Sequence, residues 1–378
     1  MKKLLFIVAI LFPALTFAQS KKPLPSTFDL LIGTYTTGTS QGIYVYRFYA
    51  ESGKLAYLNQ ITTDNPSYLC ITDDNKFVYS VDEKDKGNGI VNGFTFNAKS
   101  GKMALIDSMG SKGTSPCYVS VDKDQKNIFV ANYSSGSLAV FPLDKSGAIG
   151  PASQVIQDAG KGVNKDRQEG PHVHTAVLDP KEKYLLYTDL GTDKLNVYRY
   201  HASKPEPLTP ADPSFTSVTP GNGPRHLTFS ADGKHVYLLQ EMGAAINVYD
   251  YDGGKLKETQ TITMLAKGFK GDVGAAAIKI SPDGRFLYAS NRGTANDIVI
   301  YTINPDNGQL TYADRASSLG KGPRDFTIDP TGKYLLVANQ GSNSIVVYRI
   351  NKENGKLYGI SARLDIGNPV CLKLVPAE

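Results

Sequence analysis

One unit recurs six times along this chain, and that recurrence limits the folds open to it more than any other feature. The segments Ile71-TDDNKFVYSVDE, Val121-DKDQKNIFVANY, Leu178-DPKEKYLLYTDL, Phe229-SADGKHVYLLQE, Ile280-SPDGRFLYASNR and Ile328-DPTGKYLLVANQ each run from one strand end through a polar turn into a second strand. The turns carry Asp-Gly, Thr-Gly or polar equivalents, which suit tight β-hairpins. Most units continue into a third strand ending in an aromatic, then through a further turn such as Asp306-Asn-Gly into a fourth. Four residues before each segment stand Ser67, Cys117, His174, Arg225, Ala276 and Arg324, separated by 48 to 57 residues. A four-stranded unit at roughly 40–50 residues is a propeller blade.

The two ends of the chain supply a seventh blade. Leu30-LIGTY matches Leu335-LVANQ, and Gly42-IYVY matches Ser344-IVVY, so the first unit lacks its inner strand. Pro369-VCLKLV is an inner strand with nothing after it. The expected fold is all-β: a seven-bladed propeller over residues 29–378, its ring closed by N- and C-terminal strands that share one blade. Closure covers the sheet edges that an open array would expose. The 36 Gly, 21 Pro and 22 Tyr suit many short strands and turns.

Residues 1–18 read as an export signal. Lys2 and Lys3 precede an apolar stretch from Leu4 to Phe17, and Thr16-Phe17-Ala18 forms a small-residue cleavage site. The stretch falls short of the ~20 apolar residues of a spanning helix. The expectation is a periplasmic or secreted protein with a short leader over 19–28 and no membrane anchor. The net charge of +5 is mild, and no dense basic run is interleaved with aromatics, so nucleic acid is not an expected partner. Cys70, Cys117 and Cys371 form neither a disulfide framework nor a CxxC metal motif.

Antiparallel pairing brings the starts of inner strands and the ends of second strands to one channel mouth. The first ring there is Ser67, Cys117, His174, Arg225, Ala276, Arg324 and Val370. The second is Tyr35, Glu83, Tyr133, Leu190, Glu241, Arg292 and Gln340. The rings gather His174, Arg225, Arg324, Arg292, Glu241 and Glu83 in one funnel. Uncompensated burial of such charges is costly, and Arg presents a planar fork for carboxylate or phosphate, so a small anion is the expected ligand. Strand alternation places His172 and His174 on the same side. They lack the further ligands that zinc requires unless Glu241 or Glu83 joins them, and neither metal nor cofactor is expected. His226 is expected to face away from Arg225 and pack between blades. No nucleophile elbow, Walker loop or dinucleotide fingerprint is present, which leaves water attack or proton transfer. Two long segments, 160–170 and 201–220, enter and leave the fourth blade, and long loops on a rigid scaffold carry function.

At these residues the chain resembles the lactonase seven-bladed propeller family, which includes propeller-type 6-phosphogluconolactonases. The matching segments are Arg167-QEGPHVH, Gly223-PRHLTFSADGK with Glu241 downstream, Ile280-SPDGRFLYASNRG and Gly322-PRDFTIDPTGKYLLVANQ. The family also resembles 3-carboxy-muconate lactonizing enzymes, in which a His, two Arg and a Glu of the corresponding funnel are implicated. The resemblance places His174, Arg225, Glu241 and Arg292 in those positions. It implies hydrolysis of a sugar lactone, with a small anionic lactone or sugar acid as partner. On this reading Arg324 and Arg292 hold the anionic group, with His172 and Glu83 beside the substrate. Arg225 steadies the developing oxyanion, and His174 or Glu241 takes a proton from water. An export signal departs from the cytosolic site expected of a pentose-phosphate lactonase. Two other readings stay open: a non-enzymatic propeller binding a glycan or protein, and a lactonizing or isomerising enzyme.

Overall fold

The structure is a computed structural model that describes residues 24–84 and 87–377, so the expected export signal and the first half of the leader lie outside the described residues. Seven four-stranded antiparallel sheets form the fold. Their inner strands are Pro369–Pro376, Leu69–Ile71, Pro116–Val121, Val173–Leu178, Pro224–Phe229, Ala275–Ile280 and Pro323–Ile328, for blades 1 to 7 in turn. Each of these strands contacts the next around a central channel, and the last contacts the first. Blade 1 is the expected composite: Leu30 lies opposite Leu374 and Ile32 opposite Leu372.

Burial explains the strand compositions. The second strand of blade 6, Phe286–Asn291, is buried at every residue because neighbouring blades cover both its faces. Outer strands such as Lys102–Gly110 mix exposed and half-buried positions, and they carry the charge. Blades are also stapled by a repeated tyrosine. The hydroxyls of Tyr79, Tyr237 and Tyr288 donate to the carbonyls of Gly147, Gly308 and Gly355 in the next blade, at 3.0, 2.8 and 2.8 Å. A buried phenol needs such an acceptor.

The start of the inner strands is irregular in a way that positions the site. In blades 1 and 3 to 7 the ladder skips the second residue of the inner strand. Val370, Cys117, His174, Arg225, Ala276 and Arg324 therefore have no cross-strand partner. These are β-bulges, which re-aim side chains and break strand alternation. In blade 5 the bulge takes in two residues, Arg225 and His226. His226 accordingly does not pack between blades as alternation predicts. It turns into the channel axis, edge-on to Tyr68, Tyr118 and His174 at ring distances of 5.9, 5.7 and 5.1 Å.

Candidate active site

Three of the bulged residues, Cys117, His174 and Arg324, and five of the residues that immediately follow a second strand open into one funnel of about 490 Å³. Its wall includes Tyr35, Glu83, His174, Glu241, Arg292 and Arg324, together with Arg167 from the long loop that enters blade 4. Apart from Arg167, each arrives from a different strand end, so a rigid ring fixes their spacing.

Glu241 is the hub. Its Oε1 accepts a hydrogen bond from Arg167 at 2.8 Å. Its Oε2 lies 2.9 Å from Arg225 Nε and 3.1 Å from Arg292 Nη2 in two ion pairs. Burial pushes the Glu241 carboxyl up, but Arg292 and Arg225 outweigh it and hold the group well below the usual carboxylate range. Arg225 is 2% exposed and also donates to the carbonyl of Ala276. Burial first, and then the charge of Arg292, bring its guanidinium down to about 10. Arg292 is fixed a second time, by donation from Nε to Gly274 O at 2.9 Å.

A second chain of contacts lines the opposite wall. Arg324 donates to the Tyr35 hydroxyl at 2.8 Å, and that hydroxyl donates to Glu83 Oε2 at 2.9 Å. Among the described residues no carboxylate stands within ion-pair distance of Arg324. Burial acts to lower its guanidinium, and Tyr35 and Glu83 more than reverse this, so it is firmly cationic. With four guanidiniums against two carboxylates, the funnel attracts anions.

His174 pairs with no carboxylate among the described residues. Burial, followed by the charge of Arg225, holds its imidazole well below the ordinary value, so it is neutral near pH 7. Cys117 also faces the funnel, but burial pushes its thiol far up, and it donates weakly to His174 O at 3.5 Å.

The structure brings His174, Glu241, Arg225, Arg292, Arg324 and Glu83 together, with two differences from strand-based expectation. The bulge at His174 interrupts alternation, and although His174 meets the Tyr133 ring edge-on at 5.7 Å, His172 does not line the funnel. Its ring stacks on Tyr133 at 4.5 Å, its Nδ1 lies 3.1 Å from Tyr133 O and its Nε2 3.2 Å from Glu169, behind the funnel wall. Arg225 is not at a solvated mouth; it lies beneath Glu241. Arg167 was not among the expected site residues, because it has no counterpart in the repeat. The available signal was its place in the long charged loop. That loop is held closely: a Cβ added to Gly191 would sit 1.9 Å from Gly170 O. Among the described residues no group of three His, Cys, Asp or Glu is placed to hold a metal ion.

A closed seven-bladed ring with an arginine-rich, carboxylate-braced funnel at one channel mouth defines the class: an all-β propeller. The model of the lactonase, 7-bladed β-propeller family matches residues 29–374, and the chain belongs to that family. It is 33% identical over 347 residues to the 6-phosphogluconolactonase of Bacillus subtilis strain 168, covering 91% of this chain and 97% of that protein. A 6-phosphogluconolactonase of Formosa agariphila is 33% identical over 351 residues, covering 91% and 99%. Among solved structures, the periplasmic gluconolactonase of Pseudomonas aeruginosa superposes with a TM-score of 0.90 at 38% identity, covering 93% of this chain and 100% of that one.

Proposed function

We propose that this protein hydrolyses a sugar lactone in the funnel. The observation that carries this reading is a neutral His174 set among four fixed guanidiniums, in a chain related along its length to lactonases. Water attacks the lactone carbonyl carbon while His174 takes its proton. The carbonyl oxygen becomes an oxyanion, which Arg324 and Arg292 stabilise. Collapse breaks the acyl C–O bond, and the ring oxygen leaves with the proton from His174. A hydroxy acid results, and its carboxyl gives up a proton to solvent. Glu241 holds the guanidiniums in place, since a carboxylate engaged by three of them is a weak base. Arg225 acts through Glu241 as a positioning residue. The protein is exported on this reading, with residues 1–18 removed, like the periplasmic relative.

The test is hydrolysis of glucono-δ-lactone and of its 6-phosphate by the purified protein. Arg324→Ala is expected to lower kcat/KM on the order of 10²–10³ fold, as removal of one oxyanion donor does, with little change in melting temperature. Failure to hydrolyse either lactone above the spontaneous rate would falsify the assignment. Intact mass of protein from the periplasm or medium checks export: Gln19 is expected as first residue.

A further inference from the structure

The repeat that aims residues into the funnel also defines two deeper tiers of the channel. One residue beyond the first ring stand Tyr68, Tyr118, Thr175, His226, Ala277, Asp325 and Cys371, and these fill the axis. Three residues beyond it stand Cys70, Ser120, Val177, Thr228, Lys279, Thr327 and Lys373. This last tier faces the opposite mouth, where a separate cavity of about 460 Å³ opens between the inner strands of blades 1, 2, 6 and 7. The tier contains two ammonium groups, several hydroxyls and no acid.

Lys279 and Lys373 both line that cavity, on either side of blade 7. Lys279 Nζ lies 3.2 Å from Asp325 Oδ1 in the tier above. The other oxygen of Asp325 accepts the backbone N–H of Leu372 at 2.8 Å, so this carboxylate is already divided. Lys373 Nζ sits 4.4 Å from the centroid of the Tyr68 ring and 3.4 Å from its hydroxyl. Among the described residues no carboxylate is within ion-pair distance of it. Asp73 also borders the cavity, but it is exposed and forms no ion pair with either lysine among the described residues. Thr327 stands between the two lysines in the tier, nearly buried, and adds a hydroxyl. Lys279 therefore shares a divided carboxylate, and Lys373 lines the same concave site with no ion-pair partner among the described residues. Desolvating such charge is costly without a counter-charge.

We propose that this far mouth is a second anion site, which takes a small oxyanion, phosphate or carboxylate, bridged by Lys279 and Lys373. It is separated from the funnel by the packed tier of Tyr68, Tyr118 and His226 and does not depend on the chemistry assigned there. The experiment titrates the full-length protein with inorganic phosphate and, separately, with acetate, following heat by calorimetry. Four proteins are compared: wild type, Lys373→Met, Lys279→Met and the funnel variant Arg324→Ala. The expected result is saturable binding of at least one anion that survives Arg324→Ala and weakens about tenfold or more in both lysine variants, with lactone hydrolysis by the lysine variants within about twofold of wild type. Lys373→Arg keeps the charge and is expected to keep binding, which separates loss of charge from loss of fold. Binding unchanged in Lys373→Met, binding lost only in Arg324→Ala, or no saturable binding of either anion would each overturn the proposal.

Discussion

His174 and Glu241 both stand in the funnel as bases by residue type, and their surroundings separate them. Glu241 accepts a hydrogen bond from Arg167 and is ion-paired with Arg225 and Arg292. Glu241→Gln leaves the buried Arg225 beside the half-buried Arg292 without that counter-charge. Breaking a buried pair in this way costs about 3–5 kcal/mol, so a clear fall in melting temperature is expected together with lost activity. A fully active variant that melts like wild type would remove Glu241 from its place as hub. His174, by contrast, is expected to leave stability largely intact when replaced by Ala while removing the base. Its depressed pKa places the acidic limb of kcat/KM below the ordinary histidine value of about 6.5, because protonation of the free enzyme begins only there. A limb centred at or above that value, or one that persists in His174→Ala, would assign the base elsewhere. At this scale the sequence was informative about which residues meet, since the repeat alone aligned Glu241, Arg292 and Arg324. It was silent on their ionisation, which depends on how the guanidiniums share one carboxylate.

The bulges are where reading by element reached its limit. Alternation along an ideal strand puts His172 beside His174 and sends His226 between blades. One extra residue at the start of an inner strand breaks that alternation; no glycine within Pro171-HVH or Pro224-RHL marks it, and the prolines there read equally well as plain strand starts. The strand order, the hairpin turns and the composite blade were legible because each has its own periodic signature. The loop carrying Arg167 lacks one. Its position rests on a close backbone approach between Gly170 and Gly191. Gly191→Ala must push that loop outward and draw Arg167 away from Glu241. A misplacement of about 1 Å can cost on the order of 10²-fold in rate, and a loss of that order in kcat/KM is expected, with the blades still folded by circular dichroism. Unchanged kinetics would show that Arg167 is not needed in place. The bulges also free the first ring from the ladder, so its side chains can change without altering any strand's register.

The ring as a whole depends on one strand supplied from the far end of the chain. Pro369–Pro376 pairs with Thr27–Thr34 and buries Val370, Cys371 and Leu372. Deleting residues 369–378 exposes an edge on Thr27–Thr34 and removes those side chains from two blade interfaces. Losses for single large core side chains run to about 2–5 kcal/mol, so the truncated chain is expected to melt far below wild type or not to fold. An unchanged melting temperature would refute closure through blade 1. The same pairing sets a timetable for biosynthesis. Thr34 is made some 335 residues before Pro369, and at about 5–20 residues per second that is roughly 20–70 s of elongation. Throughout that interval the first strand is paired on one edge only, with Gly42–Tyr49, and its other edge stays open in every nascent copy. A holding chaperone that shields that edge until Pro369–Pro376 arrives is expected to raise the yield of folded protein, and an unchanged yield would show that the open edge is harmless.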